Sequence, residues 1–105
     1  MKDIMKLVQQ AQEMQGQLKR IQDELAQMTL TGTSGGGMVT AEVNGQGLLK
    51  RVKIDPSVVN SSDTEMLEDL VTVAVTEAQK KAAEQAEAHT AKLAGGMNLP
   101  FKLPL

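Results

Sequence analysis

The stretch from Thr31 to Gly45 contains five glycines, three of them consecutive, and is the first candidate for chemistry in this 105-residue chain. A phosphate-binding loop needs a strand, a glycine-rich turn with a lysine, and a helix whose N-terminus meets the phosphate. This stretch has no lysine and continues into MVTAEV, an alternating, strand-like sequence. We therefore interpret the glycines as a tight connection between strands, in which glycine supplies positive φ angles.

Histidine and carboxylates offer a second kind of chemistry. His89 is the only histidine and has no Ser or Asp partner at a recognisable spacing, so we expect it to pack rather than act as a base. Asp63, Glu65, Glu68 and Asp69 precede or begin a predicted helix, whose dipole favours acids there. The sequence therefore predicts no metal site, no cofactor and no enzymatic activity.

Composition limits the class of protein. Hydrophobic residues make up 41% and charged residues 23%, which is typical of a soluble globular protein. We expect one α+β domain over residues 1–94 and an apolar, proline-containing tail over residues 95–105. The absence of cysteine fits a reducing cytoplasm. Neither a signal peptide nor an apolar run of about 18 residues is visible, so we expect no membrane association.

The first 28 residues carry apolar side chains at alternating spacings of three and four. This pattern predicts an amphipathic helix from about Asp3 to Met28, roughly 40 Å long. The apolar positions, which we call the heptad seam, are Ile4, Leu7, Ala11, Met14, Leu18, Ile21, Leu25 and Met28.

A small antiparallel sheet is predicted next. Residues 29–31 could form a short strand, and a hairpin follows around Asn-Gly-Gln-Gly. A two-residue loop, either Asn44-Gly45 or Gly45-Gln46, is favoured because it keeps the apolar residues of both strands on one face. Lys50 is a misfit on that face, and we expect it near an edge with its amine in water. The face comprises Val39, Ala41, Val43, Leu48, Val52 and Ile54.

The second helix is predicted from a capping box with Ser62 as the cap and Glu65 three residues later, and it should end near Leu93, before Gly95 and Gly96. The apolar face of this second helix comprises Leu67, Leu70, Val71, Ala74, Ala78, Ala82, Ala86 and Leu93.

The predicted element order is then α-β-β-β-α. Strands of about 23 Å cannot cover helices of roughly 40 Å, which leaves part of the heptad seam exposed in a single chain. We therefore predict a homodimer.

Basic residues on the predicted helices are the remaining candidates. The net charge is −2, so an anionic partner would have to meet local patches. From these residues alone a solvated surface is favoured over a site for DNA phosphates, and both stay open. The candidate cations are Lys2, Lys6, Lys19, Arg20, Lys80, Lys81 and Lys92.

Several motifs in order resemble the YbaB/EbfC family of bacterial nucleoid-associated proteins. They are MKLVQQAQEMQGQL, TGTSGGGMV, VNGQGLLKRVKIDPSVV, EMLEDLVTVAVTEA and GGMNLPF. The resemblance implies a tweezer-shaped homodimer with helical arms that binds double-stranded DNA, largely without sequence specificity, in the cytoplasmic nucleoid. It also implies roles in nucleoid organisation, gene regulation or recombination and repair, with recombination or replication proteins as possible partners. The alternative is a protein-interaction scaffold that uses the heptad helix to bind such a partner.

Overall fold

The structure, a computed structural model, describes residues 2–96. It contains helix α1 (Lys2–Gln27), strands β1 (Leu30–Ser34), β2 (Val39–Val43) and β3 (Leu49–Ile54), and helix α2 (Thr64–Gly96). Single 3₁₀ turns join β1 to β2 and follow β3. The predicted α-β-β-β-α order and the α+β class are confirmed, while most of the predicted tail, residues 97–105, lies outside the described residues.

The sheet is antiparallel with strand order β1-β2-β3, and α2 packs across one face of β1 and β2. The buried residues that α2 contributes to the core are Ala74, Ala78 and Ala82. Because these side chains are small, the helix can approach the sheet closely. Gly32 on β1 is needed for the same reason: a Cβ there would lie 2.5 Å from the backbone nitrogen of Ala78. These alanines of the predicted apolar face of α2 therefore form the contact between the helix and the sheet.

The glycine-rich connection is confirmed as a turn between strands. Gly35, Gly36 and Gly37 have φ angles of 60°, 69° and 95°, a region that other L-residues rarely adopt. The segment passes from β1 directly into the turn before β2, so no helix N-terminus follows the glycines as a phosphate loop would require.

The hairpin between β2 and β3 corrects one prediction. Its loop has three residues rather than two, because the Asn44 side chain accepts hydrogen bonds from the amides of Gln46 and Leu48, and Gly47 takes a φ of 86°. A bulge at Lys50 then restores the alternation, so that Leu49, not Leu48, pairs with Val43. The bulge also explains why Lys50 looked misplaced on an apolar face.

Both ends of α2 differ slightly from the prediction. Asp63, rather than Ser62, caps the helix, because its carboxylate accepts the amide of Met66 at 3.2 Å. Ser62 instead donates to the side chain of Asn60. At the other end α2 includes Gly95 and Gly96, so the expected end near Leu93 was three residues too early.

The chain is far from spherical. Its radius of gyration is 19.7 Å, whereas a compact chain of this length would have about 13 Å. The long dimension of 72 Å arises because α1 leaves the sheet: residues 3–20 are all exposed, and Leu25 is the first buried position. The heptad seam therefore packs within its own chain only at its C-terminal end.

Candidate nucleic-acid interface

The base of α1 is fixed to the β2–β3 hairpin. Leu25 is 3% exposed, and its carbonyl accepts the Gly45 amide at 2.7 Å. A Cβ at Gly45 would lie 2.6 Å from that carbonyl oxygen, so glycine is required at this junction. The side-chain amide of Gln46 donates to the side-chain oxygen of Gln22 at 3.0 Å, and the Lys50 amine donates to the Thr29 hydroxyl at 2.8 Å. The exposed part of α1 is thus an arm with an ordered base.

Four candidate cations lie on this helix. Lys6, Lys19 and Arg20 are exposed, and Lys2 is the first residue of the helix. Lys6 and Lys19 are separated by about 20 Å along the axis, which corresponds to roughly six base pairs of duplex DNA. Lys19 and Arg20 line a shallow groove together with Asp23 and Glu24. Neighbouring acids therefore reduce the net positive charge at the base of the arm.

The structure brings candidates from both helices together where α1 crosses α2. A cleft of about 340 Å³ is lined by Arg20 and Glu24 of α1 and by His89 and Lys92 of α2. His89 is half-buried, its Nδ1 lies 2.9 Å from the carbonyl oxygen of Gln85, and its Nε2 lies 3.9 Å from a Glu24 carboxylate oxygen. The cleft thus places one cation from each helix, Arg20 and Lys92, beside the Glu24 carboxylate.

The other α2 candidates differ in availability. Lys80 is exposed. The Lys81 amine donates to the carbonyl of Thr31 at 3.0 Å and lies 3.4 Å from the Glu77 carboxylate, so this side chain fastens α2 to β1. Its helical position alone did not indicate this use, because the contact joins residues 50 positions apart.

The open face of the sheet carries two further cations. Arg51 is paired with Glu42 on the neighbouring strand at 3.2 Å, whereas Lys53 is exposed. Alternation along β3 was the only sequence signal for either. They lie apart from the arm, and the Arg51 charge is largely matched by its acidic neighbour.

The described part of the chain offers little for other chemistries. Within residues 2–96 no group of three His, Asp or Glu side chains is placed to hold a metal ion. No helix in that range is both long enough and apolar enough to cross a membrane. The exposed arm, by contrast, can form ion pairs with a polyanion through Lys6, Lys19 and Arg20.

Comparison with known proteins agrees with this geometry. The YbaB/EbfC DNA-binding family matches residues 1–97. A nucleoid-associated protein of Gemmatimonas aurantiaca is 52% identical over 102 residues, covering 97% of this chain and 98% of that protein. A nucleoid-associated protein of Desulfotalea psychrophila is 46% identical over 98 residues, covering 93% and 92%.

A solved structure supports the fold. The crystal structure of the uncharacterized protein HP0035 from Helicobacter pylori matches with a TM-score of 0.61 and 26% identity, covering 83% of this chain and 96% of that one. The sequence match over nearly the whole chain and the structural match over 83% of it point to the same family. This chain is a member of the YbaB/EbfC DNA-binding family.

Proposed function

We propose that this protein binds double-stranded DNA as a nucleoid-associated homodimer, largely without sequence specificity and without a catalytic step. The observation that carries the proposal is the α1 arm, which leaves the body of the protein and holds Lys6, Lys19 and Arg20 in solvent. Relatives at up to 52% identity are named nucleoid-associated proteins, which supports a location in the cytoplasmic nucleoid.

Exposed apolar surface supports the homodimer. In a single chain Ile4 and Leu7 are each 65% exposed, and Leu18 is 41% exposed. Strand β3 forms an edge of the sheet; its first residue, Leu49, is 51% exposed, and Leu48 just before it is 62% exposed. Burying an apolar side chain contributes about 1.5–3 kcal/mol, so covering several of these favours association even after its entropic cost. A second copy with the same surface would do so symmetrically.

Two arms would give the tweezer shape and double the positive charge presented to DNA. Lysine and arginine contact phosphates, which carry no sequence information by themselves. The chain has no Trp or Tyr and a single Phe, so base stacking is not the means of recognition. Because the net charge of the chain is −2, we expect moderate affinity that falls steeply as salt is added.

Charge reversal on the arm tests the proposal. We expect Lys19→Glu/Arg20→Glu to weaken binding to unrelated duplexes alike. It should also reduce the magnitude of the negative slope of log K against log salt by up to about 3.6, since a dimer loses up to four phosphate contacts. Fluorescence anisotropy between about 50 and 300 mM salt measures both. Arg51→Glu/Lys53→Glu is the matched control, because it changes the net charge equally on the open face of the sheet and touches none of the contacts that fix the base of the arm.

Two results would contradict this account. One is the absence of binding by the wild-type protein at about 50 mM salt and tens of micromolar protein, a regime that favours phosphate contacts. The other is equal weakening by the control, which would show that net charge matters and the arm does not. Roles in nucleoid organisation, gene regulation or recombination and repair would follow from such binding, with recombination or replication proteins as further partners.

The second candidate function is a protein-interaction scaffold. The heptad seam favours it, because Met14 within the seam is 36% exposed, Met5 next to Ile4 is 69% exposed, and methionine-rich surfaces adapt to varied partners. A purified protein that remains a single chain at micromolar concentration would favour this candidate, because the exposed apolar surface of the seam would then be free to bind a different protein.

A further inference from the structure

A groove separate from the arm lies between the end of β1 and the first turns of α2. Its volume is about 490 Å³, within the range of ligand-binding clefts. We call it the acidic groove. It is lined by Ser34, Gly35, Asp63, Glu65, Met66, Asp69, Leu70 and Val73.

The floor of the acidic groove is apolar. Met66, Leu70 and Val73 follow one another along one side of α2, at a spacing of four and three residues. Met66 is 42% exposed and Val73 is 54% exposed, whereas Leu70 is half-buried. Gly35 faces Leu70, and a Cβ on Gly35 would come 3.1 Å from a Leu70 methyl group. The missing side chain therefore helps to keep the groove open.

The rim of the groove is acidic beyond what helix formation requires. Asp63 caps α2, and Glu65 lies in the first turn, where the helix dipole favours acids. Asp69 lies in the second turn, where that effect has faded. Among the side chains described in residues 3–92, none of these three carboxylates lies within ion-pair distance of a cation. Their charge is thus available to a ligand.

The negative charge around the groove favours a positively charged partner. Between Lys53 and Lys80 the sequence has six acidic residues and no lysine, arginine or histidine. A polyanion such as DNA would be repelled from this end, whereas a cationic segment would be attracted to it. Apolar floor and acidic rim together match a peptide that combines apolar and basic side chains.

We propose that the acidic groove binds a basic segment of another protein. An apolar side chain of that segment would rest on Met66, Leu70 and Val73, while neighbouring lysine or arginine side chains pair with Glu65 and Asp69. This surface is distinct from both the cationic arm and the heptad seam. One molecule could therefore hold DNA through its cations and a basic protein through this groove.

Residues 97–105 of the same chain do not meet this description. Met66 and Gly96 are separated by about 45 Å along α2, whereas nine extended residues span about 32 Å. Residues 97–105 also contain a single cation, Lys102. The groove of a chain is therefore out of reach of these residues in that chain.

A short synthetic peptide of alternating leucine and lysine tests the proposal on the full chain. Amide NMR shifts should move for Gly35, Met66 and Val73 on titration. Glu65→Lys/Asp69→Lys should weaken the peptide about tenfold, since two favourable pairs become repulsive. The control Glu84→Lys/Glu87→Lys reverses two exposed acids further along α2 and should leave the affinity within about twofold. The neutral variant Glu65→Gln/Asp69→Asn should bind the peptide with an affinity between those of the wild type and Glu65→Lys/Asp69→Lys. This variant keeps the test valid if charge reversal unfolds the start of the helix.

Peptides with serine in place of leucine, or glutamate in place of lysine, should lose binding. Equal weakening by the two lysine-substituted variants would overturn the proposal. So would shifts of the groove amides with protein concentration alone, because a second copy would then occupy the groove. Tighter binding of a peptide covering residues 97–105 than of the leucine–lysine peptide would also overturn it, since the occupant would be another copy's C-terminal segment.

Discussion

The backbone of α2 lies close against Gly32 of β1, and the variant Gly32→Ala tests that packing. The added Cβ would lie 2.5 Å from the amide nitrogen and 3.1 Å from the Cα of Ala78, whereas carbon contacts are favourable at about 3.5–4.0 Å. These two atoms and the carbonyl oxygen of Ala74, which the added Cβ would also meet, all belong to the helix backbone, so α2 must retreat by roughly 1 Å as a unit. Overpacking costs about 1–3 kcal/mol, and we expect the upper end here.

Urea unfolding followed by circular dichroism at one protein concentration measures this loss, because association makes stability depend on concentration. A loss of about 3 kcal/mol corresponds to a fall in Tm of roughly 12 °C or more. Gly16→Ala is the matched control: no heavy atom lies within 4 Å of the added Cβ, and alanine should raise the stability of the exposed helix by about 0.5–1 kcal/mol. Unchanged stability of Gly32→Ala would refute the close helix–sheet contact.

Two further variants probe the arm and a turn. Leu7→Glu/Leu18→Glu should convert a dimer into single chains without loss of far-UV helicity, as measured by light scattering, because both side chains are exposed within one chain; persistence of the dimer would remove the seam from the interface. The amide of Ser57 donates to the Asp55 carboxylate at 2.9 Å, and this hydrogen bond lowers the pKa of that carboxyl below its ordinary value. The resulting stabilisation is complete above the ordinary pKa and disappears as pH falls through the lowered one. Thermal melts should therefore show a smaller advantage of wild type over Asp55→Asn near pH 3 than near pH 7, and an equal advantage would exclude this cause.

Local patterns were sufficient for the elements of the fold. The heptad spacing of α1 and the alternation of β2 each depend on neighbouring residues, and both elements lie where the sequence predicts them. The hairpin was harder, because the three-residue loop and the bulge at Lys50 compensate for each other. Asp63 and Ser62 are both good capping residues, and only the path of the chain from Asn60 decides between them.

The candidate interface was predicted less completely, for a physical reason. Charge and helical position identify the cations, but contacts between distant residues decide which are free. Lys81 is held by Thr31, whereas Arg20 and Lys92 share a cleft only because α1 crosses α2. The acidic groove was invisible for the same reason: its acids look like an ordinary helix start, and the exposure of Val73 appears only in the folded chain.

Sedimentation velocity of the protein mixed with a labelled duplex reports the mass of the protein and its binding to DNA in one experiment. At about 50 mM salt we predict that the duplex sediments with two chains of 11.3 kDa, and that at about 500 mM salt free duplex and free dimer separate. Free protein that sediments as one 11.3 kDa chain, beside a duplex that sediments alone at the lower salt, would contradict the account.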